Sequence, residues 1–130
     1  MTRHHVTLSP KGDCVIIALS GRRTEQTAQA ALVDVMALME RTKLDRVLLD
    51  ARDCRSVQSP ERTMARALSA GRRLRKCKVA VIADSPEHAY PRIWRKGLEE
   101  TGHEAMVFTD ASAAGTWLFN DAEAETLYLS

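Results

Sequence analysis

Carboxylates and cations mark the places where this chain could do chemistry. Asp50, Asp84 and Asp110 each close or follow an apolar run, and Ser85 stands directly after the second of them. Carboxylates gathered at the ends of neighbouring strands can hold Mg2+ or accept a phosphoryl group. Against that chemistry, no lysine follows the last apolar run to partner a phosphate, and Asp84 and Asp110 are explained equally well as turn or helix-capping residues. A cationic group offers a second chemistry. Arg52, Arg55 and Arg62 surround Ser59-Pro60-Glu61, a triplet that reads as a helix start with Ser59 as N-cap and Pro60 at the first helical position. Free N–H groups and the positive end of a helix dipole favour an anion there, and the arginines add to it. The plain alternative is an exposed loop whose arginines are solvated.

The other reactive side chains do not cluster. Cys14, Cys54 and Cys77 are widely spaced and form no C-x-x-C pair, so neither a zinc ribbon nor a redox motif is indicated. Cys54 and Cys77 lie among Arg and Lys, surroundings that can lower a thiol pKa, whereas Cys14 belongs to an apolar run and reads as core. His4 and His5 are adjacent and face opposite sides of a strand, while His88 and His103 fall at helix ends, so no pair has helical ligand spacing. The glycine-rich nucleotide signatures and the G-x-S-x-G elbow are absent. The chain is therefore read as non-enzymatic, with no catalytic residue, no cofactor and no metal.

The elements that position these residues follow from periodicity. Val6 and Leu8 alternate with polar neighbours, Ser9 to Asp13 supplies a turn, and Cys14 to Leu19 returns as a second strand, together a β-hairpin. Ala28, Ala31, Leu32, Val35, Met36 and Met39 recur on one helical face that starts near Thr24. A strand over Arg46 to Asp50 leads through a loop, Ala51 to Gln58, into the Ser59 helix, which Gly71 weakens or ends. Lys78 to Ala83 is nearly continuous apolar sequence, as in a parallel strand covered on both faces. Ser85-Pro86-Glu87 repeats the helix-start pattern, the regular helix beginning at Tyr90 or Pro91 and ending at Gly102. Ala105 to Phe108 is the fifth strand, and Asp110 caps a last helix. Leu127-Tyr128-Leu129 could add a short strand. The order β-β-α-β-α-β-α-β-α predicts an α/β fold with a mostly parallel sheet of about five strands, an N-terminal β-hairpin and four helices.

Composition sets the outer limits. The 130 residues are 45% apolar and 28% charged, which suits one globular domain spanning 1–130. The first residues contain no apolar leader core, and no uncharged run reaches the roughly 18 residues of a membrane span, so a cytoplasmic protein is expected. The net charge of +2 conceals two blocks. Arg62 to Lys78 holds seven basic residues and no acid, and Gly97 to Ser130 holds seven acids and no Lys or Arg. Such blocks are usually solvated faces, but they also suit an anion-binding face or complementary self-association, and a homodimer is expected. The basic block lacks interleaved aromatics, so no specific nucleic-acid partner is predicted.

Three stretches carry a family likeness. Val47-Leu48-Leu49-Asp50-Ala51-Arg52, then Lys78 through His88 with its Asp84-Ser85-Pro86, then Gly102 through Asp110 followed by Ala113 and Trp117-Leu118, resemble the SpoIIAA-like (STAS/Sec14-type) domain family. The likeness covers roughly Val6 to Leu118. It implies a (β/α) superhelix with strands in sequential order and a non-enzymatic regulatory or protein-interaction role. Relatives in the wider fold include anti-anti-sigma factors, switched by serine phosphorylation, and Sec14-like domains, which hold lipids. The first group carries an Asp-Ser-Ser-Gly-type motif at the helix after the third strand. Counted without gaps from Asp50, Gln58-Ser59-Pro60-Glu61 stands there, with Ser59 at the first serine and Pro60 at the phospho-acceptor position. The alternatives are a small carrier of an apolar or anionic ligand, in the manner of Sec14-like domains, and, third, a phosphate- or metal-dependent enzyme using the strand-end aspartates.

Overall fold

The structure, a computed structural model, describes residues 3–56 and 58–119. Along the chain run β1 (Arg3–Leu8), β2 (Val15–Arg23), α1 (Glu25–Thr42), β3 (Arg46–Ser56), α2 (Pro60–Arg73), β4 (Lys78–Ile82), α3 (Ala89–Glu100), β5 (Glu104–Phe108) and α4 (Ala111–Phe119). The five strands form one sheet in the order β1-β2-β3-β4-β5. β1 pairs antiparallel with β2, and every later pair is parallel. The expected hairpin and sequential parallel order are therefore both present. The strand expected at Leu127-Tyr128-Leu129 lies outside the described residues.

Alternation of side chains divides the sheet into two cores. Ile17 and Leu19, Val47 and Leu49, Val79 and Val81 face α1 and α3, where they meet Val35, Met39, Tyr90 and Leu98. Ala80 and Ile82 face the other way and meet Ala114 and Leu118 of α4, with Leu48, Phe108 and Trp117 around them. β4 is buried at all five positions, which is why its sequence shows no alternation. α2 packs against α3 rather than deeply on the sheet.

Several local boundaries differ from those the sequence suggests. β3 continues past Asp50 to Ser56, through what reads as a loop, because Asp53 to Ser56 pair with Ser20 to Arg23 beyond a bulge. At that bulge Ala51 and Arg52 together stand opposite Leu19, so Ala51 and Cys54, three residues apart, both enter one core. Gly71 neither ends nor interrupts α2; it is buried where the helix passes Thr101. Ser85-Pro86-Glu87 forms turns instead of a helix start, and α3 begins after His88, with Pro91 in its first turn where a missing N–H is harmless. α1 starts on a capping box between Thr24 and Thr27, and α4 on Asp110, whose carboxylate accepts from Ser112 N at 3.3 Å and Ala113 N at 3.1 Å.

α2 and α3 approach closely at Gly97 of α3. A Cβ there would stand 2.5 Å from Ala67 Cβ and 3.2 Å from the Ala67 backbone. Gly97→Ala should therefore destabilise by about 1–3 kcal/mol through overpacking, overriding the roughly 1 kcal/mol that alanine gains in a free helix. Urea unfolding checks this: the midpoint should fall while the slope stays constant.

Candidate functional site

The carboxyl ends of β3 and β4 meet the N-terminus of α2 and the turn before α3. Between them lies a cleft of about 420 Å3 lined by Arg55, Gln58, Thr63, Asp84, Ser85 and His88, among others. Arg55 is aimed there by the end of β3. Its Nη2 donates to Asp84 Oδ2 at 2.6 Å, and its Nη1 donates to the Cys54 carbonyl at 2.8 Å. His88 is buried beside them, with Nε2 3.1 Å from the Cys54 carbonyl and Nδ1 3.1 Å from Asp84 Oδ1. The second contact is an ion-pair distance without hydrogen-bond geometry, so Nδ1 is a buried polar atom with no hydrogen-bonded partner among the described residues. Partial desolvation opposes ionisation of Asp84, but the Arg55 bond and the neighbouring His88 outweigh it and lower its pKa.

Ser59 stands exposed at the α2 N-terminus, beside this cleft. Its Oγ accepts from Arg62 N at 3.2 Å, and its carbonyl accepts from Thr63 N at 2.9 Å and from Thr63 Oγ1 at 3.0 Å. The serine hydroxyl therefore closes the helix end, and Pro60 brings no N–H of its own. Arg62 is exposed on the first turn.

Asp50 and Arg52 form a separate pair. The Arg52 fork donates to Asp50 through Nε at 2.9 Å and Nη2 at 2.7 Å, and the Arg52 backbone N–H adds a third bond at 3.2 Å. Arg52 foremost lowers the Asp50 pKa, and Asp50 in turn raises that of Arg52. Asp110 is near enough to act on Arg52 electrostatically, but its oxygens serve α4. The three aspartates thus do not converge. Asp84 goes with Arg55, Asp50 with Arg52, and Asp110 with a helix end. Among the described residues no group of three or more His, Cys, Asp and Glu side chains is placed to hold a metal ion.

One contact is not visible in the spacing of the sequence. Cys77 Sγ lies 3.5 Å from His103 Nδ1, a pair of types that elsewhere does nucleophilic chemistry. Here the imidazole is a tether: Nδ1 accepts from Cys77 N at 3.2 Å and Nε2 donates to the Gly71 carbonyl at 2.6 Å. Burial first, with Asp45 adding to it, pushes the Cys77 thiol up to about 12. Its basic neighbours therefore do not activate it. Cys14, Cys54 and Cys77 are all buried, and none forms a disulfide with another.

Comparison with known proteins places this geometry in a fold class. No family model and no curated protein matches the sequence. Solved structures do match, and they show the SpoIIAA-like fold. One is a DUF3478-family protein with a SpoIIAA-like fold from Shewanella loihica PV-4, at a TM-score of 0.61 and 15% identity, covering 90% of this chain and 93% of that one. Another is an anti-sigma factor antagonist from Mycobacterium paratuberculosis, at a TM-score of 0.64 and 17% identity, covering 91% and 94%. The expected SpoIIAA-like superhelix is thereby shown for the fold.

Two outcomes test the site. Ser59→Ala should lower stability by about 1 kcal/mol, the usual worth of a serine cap, as read from the unfolding midpoint. The lowered pKa values of Asp50 and Asp84 fix the sign of an acid effect. Their stabilisation is complete above the unfolded carboxylate value of about 4 and is lost as pH falls through the lowered folded values. Asp50→Asn removes one of the two contributions, so its stability should fall less steeply than wild type between about pH 5 and pH 2.

Proposed function

We propose that this chain is a non-enzymatic, cytoplasmic regulatory module of the STAS type. In this reading a protein partner docks on the surface formed by the α2 N-terminus and the cleft beneath it. The observation that carries it is the placement of exposed Ser59 at the rim of the Arg55–Asp84–His88 cleft, in a fold shared with an anti-sigma factor antagonist. The strand-end aspartates are spent on arginines and a helix cap, which favours a docking surface over a phosphoryl-transfer centre. Among the described residues no helix is long and apolar enough to cross a membrane. Because Ser59 Oγ serves as a cap and Pro60 holds the neighbouring position, the partner is bound by surface complementarity without phosphorylation at Pro60. Arg55, Ser59, Arg62 and Ser85 are the residues assigned to this contact.

Self-association belongs to the same proposal. Thr7, Ile16 and Ala18 lie on the sheet face that α4 occupies further along, and the basic and acidic blocks supply opposite charges. A closed two-fold dimer is the commonest arrangement for such complementarity.

Cross-linking in the native cells compares tagged wild type with Ser85→Arg, a change on the cleft wall outside the core. A specific partner held by wild type and lost in Ser85→Arg supports the reading. No partner, or one held equally by both, defeats it. Sedimentation at micromolar concentration should show a dimer; a monomer-sized species at both low and moderate salt would rule self-association out. Phosphoserine at Ser59 in protein from those cells would overturn the purely capping role.

A further inference from the structure

The outer strands of the described sheet are β1 and β5, and they differ. β1 carries Arg3, His4 and His5 along its length, whereas β5 from Ala105 to Phe108 has no charge, no proline and no bulge. Such features are what keep an edge strand from pairing with another chain. Backbone geometry decides which groups β5 leaves over. Glu104 N donates to the Cys77 carbonyl at 3.2 Å, and the Phe108 carbonyl accepts from Ala83 N at 2.7 Å. Both residues therefore point their main-chain groups at β4. Alternation along the strand turns the N–H and C=O of Val107 the other way, to the outer edge. Among the described residues no backbone group outside the sheet bonds to Val107.

Beside this edge is a concavity of about 660 Å3, lined by Val107, Phe108 and Ala113 on one side and by Arg92, Arg95 and Lys96 of α3 on the other. Val107 and Phe108 are half-buried, so the strand offers apolar surface there. Arg95 is spent on Glu99, with Nε donating to Oε1 at 2.7 Å, and the Asp110 oxygens cap α4. Arg92 and Lys96 are exposed, and among the described residues no carboxylate pairs with either. They stand one helical turn apart, about 6 Å along the axis. Side chains on one face of a strand repeat at nearly the same interval, about 7 Å. A strand laid beside β5 therefore brings alternate side chains to these two cations in turn.

We propose that the β5 edge takes an extended segment of a partner protein as a further strand, with carboxylates at alternate positions set on Arg92 and Lys96. Main-chain bonds to Val107 supply most of the affinity, and the exposed ion pairs select the sequence. A strand with lysines at those positions is repelled. The Ser59 surface lies on the other flank of α3, where Tyr90 and Ile93 face the cleft. Docking at Ser59 can therefore fail while this edge stands, and the reverse.

The test is calorimetric titration of the full chain with acetyl-Glu-Val-Glu-Val-Glu-amide, with hydrogen exchange of the Val107 amide followed by NMR. Saturable binding of one peptide per chain is expected, and the Val107 N–H should exchange roughly ten-fold more slowly at saturation. Arg92→Gln with Lys96→Gln, both on exposed positions of α3, should weaken the peptide about three- to ten-fold, the worth of two exposed pairs. A peptide methylated at its backbone nitrogens should bind roughly ten-fold more weakly than its parent, through loss of main-chain donors. Absence of saturable binding, or binding that leaves Val107 exchange unchanged, overturns the site. Equal affinity for the methylated peptide overturns strand addition, and equal affinity in the double variant overturns the acidic assignment. Val107 exchange that is already slow in the free chain, and slower at higher protein concentration, overturns the partner in favour of a second copy.

Discussion

The need to bury β4 on both faces governs this structure. Lys78–Ile82 is covered throughout, and no single layer of helices can do that for a central strand. Right-handed crossovers between sequentially ordered strands send α1, α2 and α3 to one side. Only the element after β5 is free to cross to the other, and α4 takes that place against Ala80 and Ile82. The sheet order, the two cores and the position of every strand end follow. Because the parallel strands all finish at one edge, Arg55, Asp84 and the α2 N-terminus arrive at one surface without any local sequence motif bringing them there.

Legibility in the sequence tracked the range of the interaction responsible. Element order and type were readable because they depend on periodicity within one segment: the α1 face, the Ser59-Pro60 start, and the unbroken apolar run of β4. The Ser85-Pro86-Glu87 triplet carried the same local signal as Ser59-Pro60-Glu61, but became a turn before a helix that starts at Ala89. The continuation of β3 was hidden because its pairing partner is the end of β2, whose own extension is polar. Close approach at Gly97 was hidden for the same reason, since Ala67 is thirty positions away.

The candidate site shows the limit more sharply. Arg55 and Asp84 were both visible as charged residues near strand ends, but their pairing across 29 positions was not. That pairing, with Asp50–Arg52, neutralises two of the three arginines that otherwise make an anion site attractive. The Cys77–His103 contact escaped for want of any spacing rule, and its burial makes it structural. Tyr90 lines both the Ser59 cleft and an apolar groove between α1 and α3, so the first turn of α3 is a wall common to two concavities.

The C-terminal end of α4 has no basic residue of its own in its last turn. Its carbonyls are capped from the sheet instead. Lys78 Nζ donates to the Trp117 carbonyl and Arg46 Nε to the Leu118 carbonyl, each at 2.7 Å, while Lys78 lies 4.3 Å over the Trp117 ring. The cations that complement this helix therefore belong to β3 and β4, made some 70 and 40 residues earlier on the ribosome. Helix and caps cannot meet until α4 has left the exit tunnel. During synthesis the front layer can assemble progressively, but the back of β4 stays bare until nearly the whole described chain has emerged. Vectorial translation thus leaves Leu48, Ala80 and Ile82 uncovered on that face until α4 arrives.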